Sequence, residues 1–248
     1  LPYNQDAVIE ALAEATDNLT VVFVSGNAVA MPWIDDVESV VQVWYLGSES
    51  GNAIANILSG EVNPSGKLPF TFGVKLEDYM AHADGAKFPN PKKVFYHDDI
   101  FVGYRGFDKR GIEPLFAFGH GLSYTTFEYS DLQLSATEAV AGNRIDDTIL
   151  EATVTITNTG DRAGKEVVQL YISDVEATVI RPRKELKGFE KVELQPGEST
   201  TITFAISAEA LAYYDENDST WTVEGGEYRV LIGASSRDIR LEESFTLR

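Results

Sequence analysis

Residues 150–172 read LEATVTITNTGDRAGKEVVQLYI. The first eight alternate strictly, with Leu150, Ala152, Val154 and Ile156 on one side and Glu151, Thr153, Thr155 and Thr157 on the other. This is the pattern of a strand with one buried face. Asn158-Thr159-Gly160-Asp161 then breaks the run as a turn, and a second apolar run follows at 167–172. Outward toward the C-terminus the same grammar repeats at 186–194, 200–206, 221–223 and 228–232. Turn signals separate the runs at Gln195-Pro196-Gly197, at 215–219 and at Gly225-Gly226.

With short runs at 132–134 and 243–247, about seven or more strands fill residues 128–248, the number expected of an immunoglobulin-like or fibronectin III-like sandwich. The chain has no Cys, so the antibody-type disulfide is impossible and the fibronectin III-like variant is the expected one.

Toward the N-terminus the grammar changes. Val8, Ile9 and Leu12 stand at helical spacing within 6–15. Residues 19–24 (LTVVFV) and 39–44 (SVVQVW) are continuous β-rich runs of the kind found in parallel sheets covered on both faces. A glycine-punctuated turn at Gly47 leads to a predicted helix over 48–58, carrying Ile54, Ile57 and Leu58. Strand, turn and helix in this order predict an α/β layer. It is small for an independent domain and reads as cut short at its front end. Residues 59–127 are loop-rich, with Pro64, Pro69, Pro89, Pro91 and Pro114. Aromatic-bearing segments at 94–96, 100–104 and 115–118 read there as packing strips. The expected division is residues 1–127 as part of an α/β sandwich with a loop-rich connection, and residues 128–248 as the fibronectin III-like domain.

Composition narrows the function. Of 248 residues, 39 are Asp or Glu and 20 are Lys or Arg, a formal charge of −19 spread over both halves. Such a surface repels phosphate backbones and anionic membranes, so no nucleic-acid or membrane partner is expected. It suits neutral substrates such as sugars, and also solubility in a saline habitat. Without Cys, thiolate metal sites and thiol nucleophiles are excluded. No apolar run approaches the ~20 residues of a membrane helix.

The motifs of nucleophile elbows, zincins and P-loops do not occur. His82, His97 and His120 have unlike neighbourhoods, so no histidine metal site is expected, and no cofactor is implied. Asp35-Asp36 and Asp98-Asp99 are adjacent carboxylates, but neighbours in sequence diverge in direction and read as caps or solvated loops. The Asp215-Glu216-Asn217-Asp218 run does not have the calcium-loop spacing and reads as a hairpin turn. Trp33 and Trp44 stand near the ends of apolar strands, where open α/β layers collect ligands. They either fill an interface or offer faces to a sugar ring. Phe118-Gly119-His120-Gly121-Leu122-Ser123-Tyr124 lies where the grammar switches, and its glycines allow close backbone approach.

Taken in order, several motifs form a series: Val24-Ser25-Gly26, Met31-Pro32-Trp33, the run 44–53 (WYLGSESGNA), the run 63–69 (NPSGKLP), Val102-Gly103-Tyr104-Arg105, Phe107-Asp108 and the run 118–124. It closely resembles the C-terminal part of family 3 glycoside hydrolases, the β-glucosidase and β-xylosidase group. Asn158-Thr159-Gly160, the run 167–171 (VVQLY), Lys187-Gly188-Phe189 and the run 194–198 (LQPGE) resemble the fibronectin-like domain of those enzymes. Where relatives often carry Pro in the Trp-Tyr-Pro-Gly turn, this chain has Leu46.

The resemblance implies a larger enzyme with an N-terminal (β/α)8 barrel, which supplies an aspartate nucleophile. It also implies the rest of the sandwich, which supplies an acid/base glutamate. Both carboxyls are expected upstream of Leu1, so no catalytic residue is assigned within this chain. Trp33 and Trp44 are the candidate substrate-binding residues. The implied reaction is retaining hydrolysis of terminal β-D-glucosyl residues from a β-glucoside or oligosaccharide, with this segment inactive alone. A β-xylosidase is the alternative within the enzyme class, and a carbohydrate-binding or interaction module without hydrolysis is the alternative outside it. Self-association into a homo-oligomer stays open, and a secreted or periplasmic location is slightly favoured over a cytoplasmic one.

Overall fold

The computed structural model describes residues 1–83, 93–96, 98–142 and 144–248. Pro89, Pro91 and His97 lie outside the described residues. The chain opens with α1 (Gln5–Ala15), followed by β1 (Thr20–Phe23), β2 (Ser39–Gln42) and α2 (Ser50–Leu58). Strands β1 and β2 pair in parallel with Thr20 opposite Ser39 and Phe23 opposite Gln42, as the β-rich runs predict. Their faces are only partly covered: Val21, Val22, Val40 and Val41 are half-buried and Val24 is exposed. Helix α1 buries Ile9 but leaves Val8 and Leu12 exposed. Phe23, Met31, Trp33 and Phe72 form a small second core beneath this layer.

Among its described residues the loop-rich connection contains an α-helix not foreseen from the sequence, α3 (Tyr104–Arg110). Gly111, in the left-handed conformation, ends it. Of the segments read as packing strips, 115–118 is buried or half-buried and 100–104 buries Phe101 but exposes Ile100 and Val102, whereas Val94, Phe95 and Tyr96 are all exposed, contrary to expectation.

From residue 127 the chain is all-β: β3 (Phe127–Leu134), β4 (Glu138–Ala139), β5 (Thr148–Asn158), β6 (Gly164–Asp174), β7 (Glu185–Leu194) and β8 (Ser199–Ser207). A one-turn helix α4 (Ala208–Leu211) leads to β9 (Tyr213–Asp215), β10 (Thr220–Thr222), β11 (Gly226–Gly233) and β12 (Ile239–Leu247). One sheet has the order β4-β12-β11-β6-β7 and the other β3-β5-β8, with β9 and β10 as a separate hairpin. The alternation of β5 does what it predicts. Leu150, Ala152, Val154 and Ile156 enter the core, where they meet Val168, Leu170 and Ile172 of β6 and Val230 and Ile232 of β11.

Two sets of contacts fasten the α/β layer to the sandwich. In the first, residues 66–72 zip along 115–120: Leu68 N–H donates to the His120 carbonyl at 2.8 Å, and Phe72 N–H to that of Phe116 at 2.8 Å. The Gln169 amide of β6 then donates to the carbonyls of Gly119 at 3.2 Å and Ala234 at 2.7 Å, and accepts from the Tyr171 hydroxyl at 2.6 Å. Gly119 has φ +81° and faces the Gln169 amide so closely that a methyl there would overlap it. Lys67 Nζ donates to the Gly121 carbonyl at 2.9 Å and to Glu166 Oε1 at 3.1 Å, and the Tyr129 hydroxyl donates to the same oxygen at 2.8 Å. In the second set, buried Asp108 of α3 holds Lys184 at 2.5 Å and Arg237 at 3.2 Å. Tyr104 accepts the Leu186 N–H at 2.9 Å and stacks on Phe118 at 5.0 Å.

His120 sits in the first set, stacked on Phe116 at 5.3 Å. Burial holds its pKa below the ordinary 6.5, Lys67 lowers it further, and Asp238 opposes them. The fold therefore binds this proton less readily than the unfolded chain does. The contribution of neutral His120 is complete above pH 6.5 and is lost as pH falls from there toward the lowered folded value. His120→Phe keeps the ring and removes the titration. The wild type should lose stability relative to His120→Phe as pH drops through that window, measured by denaturant unfolding of the full-length protein. A constant difference would contradict the assignment. Gly119→Ala should cost at least about 1–2 kcal/mol for the left-handed backbone alone, and an unchanged unfolding midpoint would refute the close packing at Gln169.

Candidate functional site

In an open α/β layer ligands collect beyond the carboxyl ends of the strands, and here those ends belong to β1 and β2. Beyond β2 the ladder continues by one bond, from Val43 N–H to the Phe23 carbonyl at 2.9 Å. The Gln42 side chain then ties the two exits together: Nε2 donates to the Ser25 carbonyl at 3.0 Å and lies 3.2 Å from Ser25 Oγ. Ser25 Oγ also donates to the Asn27 carbonyl at 3.0 Å. Two backbone turns that would otherwise be free to move are thereby fixed against each other.

The next residue, Trp44, has φ +55°, a left-handed conformation rare for a bulky side chain. Strain of this kind costs on the order of 1–3 kcal/mol and persists only where the surroundings over-determine it. Here the indole is gripped edge-on by Phe70 at 5.4 Å and Phe72 at 6.3 Å. The sharp turn throws the following side chain outward. Tyr45 is 76% exposed, with its ring lying over Gly26, where a side chain would push the ring aside. Tyr45 stands beside Trp44 in the sequence but is not among the candidate substrate-binding residues read from it. The signals for it were its place directly after a strand end and the Ser25-Gly26 pair after the neighbouring strand.

The two tryptophans occupy different positions. Trp33 is 1% exposed, stacks on Phe23 at 5.6 Å and donates its indole N–H to Asp6 Oδ1 at 2.8 Å. It joins α1 to the core from beneath the layer. Trp44 is half-buried, two residues past the end of β2. The structure brings Trp44 together with Tyr45, Gln42 and Ser25, and leaves Trp33 with its indole enclosed.

The remaining candidates lie on other elements. Asp35 and Asp36 lie on an exposed turn at Ile34–Asp36. Asp99 is exposed and Asp98 partly so, next to α3 rather than to β1 and β2. Residues 215–219 form the β9–β10 turn, in which Asn217 N–H donates to Asp215 Oδ1 at 2.9 Å. Among the described residues no group of three or more His, Cys, Asp or Glu could hold a metal ion, and no helix is long and apolar enough to cross a membrane.

Comparison with known proteins agrees with this architecture. Residues 1–124 match the family model of the glycosyl hydrolase family 3 C-terminal domain, and residues 166–236 that of the fibronectin type III-like domain. Thermostable beta-glucosidase B of Acetivibrio thermocellus is 50% identical over 98% of this chain, and Beta-glucosidase BoGH3A of Bacteroides ovatus 50% identical over 97%. The match covers 31% and 32% of those proteins, so the chain spans only a part of the length of its curated relatives. Among solved structures, a beta-glucosidase from Kluyveromyces marxianus in complex with glucose superposes with a TM-score of 0.89 at 41% identity. It covers 100% of this chain and 29% of that one. DesR, a beta-glucosidase from Streptomyces venezuelae, gives a TM-score of 0.91 at 36% identity, covering 100% of this chain and 31% of that one. By motif order, fold and family model alike, this chain belongs to glycoside hydrolase family 3, whose C-terminal domain and fibronectin type III-like domain it carries.

Proposed function

We propose that the chain serves as the C-terminal, non-catalytic segment of a retaining β-glucosidase. The segment completes an α/β sandwich and supports the loop carrying the acid/base carboxyl. The observation that carries this reading is the parallel pair β1–β2, which has no further strand on either edge among the described residues. Two parallel strands are too few for a stable sheet, and their half-covered valines call for more strands and helices of the same enzyme. The activity proposed is that of the beta-glucosidases this chain resembles. In such an enzyme one carboxylate attacks the anomeric carbon, and a second carboxyl protonates the leaving oxygen and then activates water. This reading assigns both carboxyls to parts of the enzyme outside this chain.

Within that scheme the strand ends at Ser25, Gln42, Trp44 and Tyr45 are the part of this chain turned toward the sugar. Tyr45 presents an aromatic face, Trp44 sets its direction through the strained backbone, and Trp33 acts from the core by holding α1. A second reading, glycan binding without hydrolysis, draws on a different feature. Tyr214 and Trp221 form an exposed cross-strand aromatic pair, 5.6 Å apart, on the β9–β10 hairpin.

The full-length protein should release glucose from an aryl β-D-glucoside with the β-anomer appearing first by NMR, and the isolated chain should release none. Release of the α-anomer first, or no hydrolysis by the full-length protein, would overturn the enzyme reading, and in the latter case glycan binding takes its place. In the full-length enzyme Tyr45→Ala should lower kcat/KM by about 2- to 10-fold, the worth of one aromatic contact. Trp33→Ala should instead cost about 3–5 kcal/mol of stability. Unchanged kinetics in Tyr45→Ala and Trp44→Ala would remove both residues from the site.

A further inference from the structure

Between the α/β layer and the sandwich lies a cavity of about 310 Å3, bordered by Lys67, His120, Ser123, Glu166, Ser235 and Arg240. Its size stands at the small end of ligand pockets, which run about 300–1,000 Å3. None of Ser25, Gln42, Trp44 and Tyr45 at the ends of β1 and β2 borders it.

Glu166 is 5% exposed, yet its carboxylate is only half used. Oε1 takes Lys67 Nζ and the Tyr129 hydroxyl. Oε2 has no hydrogen-bond partner among the described residues, and opens onto the cavity rather than into the packed interior. The His120 ring, stacked on Phe116, likewise has no hydrogen bond to either nitrogen among the described residues. Burial and Lys67 keep it neutral, so it offers one donor and one acceptor. Lys67 has a third N–H beyond its two bonds, and Ser235 Oγ, which accepts from the N–H groups of Arg237 and Asp238, has its own proton to give.

The charges cancel. Lys67 is paired with Glu166, and Arg240 is held by Asp238 at 2.9 Å, so the cavity carries two cations and two anions. Neither an anion nor a cation gains from entering. What remains unfilled is a set of separate donors and acceptors spaced around a small volume, which alcohol groups satisfy because each both donates and accepts. We propose that this junction cavity binds a small neutral polyol, between glycerol and a monosaccharide in size, with Glu166 Oε2 and His120 as its principal hydrogen-bonding partners. Occupancy bridges Glu166 and Ser235 of the sandwich to Lys67 and His120 of the layer, and so stabilises the docked arrangement by mass action. The site rests on the junction's geometry and stands whether or not the full-length protein hydrolyses β-glucosides.

The test uses the full-length protein with 13C-labelled histidine, observed by NMR. The His120 signal is identified by its loss in His120→Phe. Glycerol, glucose and, as an anionic control, acetate are titrated separately. A saturable shift of the His120 signal with glycerol or glucose, and none with acetate, is the expected result, and the two polyols' curves rank their sizes. Glu166→Gln should weaken that binding by at least about tenfold, since a charged acceptor is replaced by a neutral one. The wild-type titration decides the matter even if Glu166→Gln fails to fold. A signal that does not move, that drifts linearly without saturating, or that follows acetate equally overturns the proposal. So does a glucose curve that coincides with inhibition of hydrolysis, which assigns the shift to the catalytic site.

Discussion

Glu166 is a carboxylate almost wholly removed from water at the boundary of two structural units. Leaving such a charge uncompensated costs several kcal/mol, and removing one partner of a buried pair typically costs about 3–5 kcal/mol. Its two partners come from opposite sides: Tyr129 from the sandwich and Lys67 from the connection that belongs to the α/β layer. Apolar surfaces can slide over each other at small cost, but a buried ion pair is satisfied in one docking only. The Gln169 amide, reaching the Gly119 and Ala234 carbonyls at once, imposes the same register through neutral groups. The pair is thus better understood as specifying how the units meet than as a large source of stability.

That register determines what the rest of the chain can do. Residues 66–72 run directly from the clasp into Phe70 and Phe72, the two rings that grip Trp44. The strained turn at Trp44 and the outward placement of Tyr45 are therefore anchored, through one short segment, to the sandwich more than 100 residues away. The Asp108 cluster fixes α3 to β7 and the β11–β12 connection in parallel with it. The fibronectin-like domain is in this sense a brace for the α/β layer, and the layer's half-covered strands are what the brace presents.

Much of this was readable in the sequence, for physical reasons that also explain the failures. Strict alternation in β5 reports one buried face directly, and the β-branched runs of β1 and β2 report a parallel pair. Seven-residue α3 escaped because Gly103 and Gly106 interrupt any helical pattern, and its stability comes from burying Phe107 and Asp108 rather than from propensity. Val94, Phe95 and Tyr96 look like a packing strip by composition, but apolar character alone does not say whether a surface is covered. Both tryptophans stand near strand ends, and only the fold separates an enclosed Trp33 from a half-buried Trp44. The Lys67–Glu166 pair spans 99 positions and carries no local signature at either end. The glycines around His120 were the legible trace of that junction, since Gly119 is required by the approach of Gln169.

The central claim is that β1 and β2 are inner strands of a sheet completed by other parts of the same enzyme. Amide hydrogen exchange across Thr20–Phe23 and Ser39–Gln42 in the full-length protein tests it most directly. The account predicts protection of both strands comparable to that of β5 and β6, because every backbone N–H of an inner strand is paired. Exchange of these amides as fast as that of an exposed edge would contradict it, and would leave the α/β layer as a small unit standing on its own.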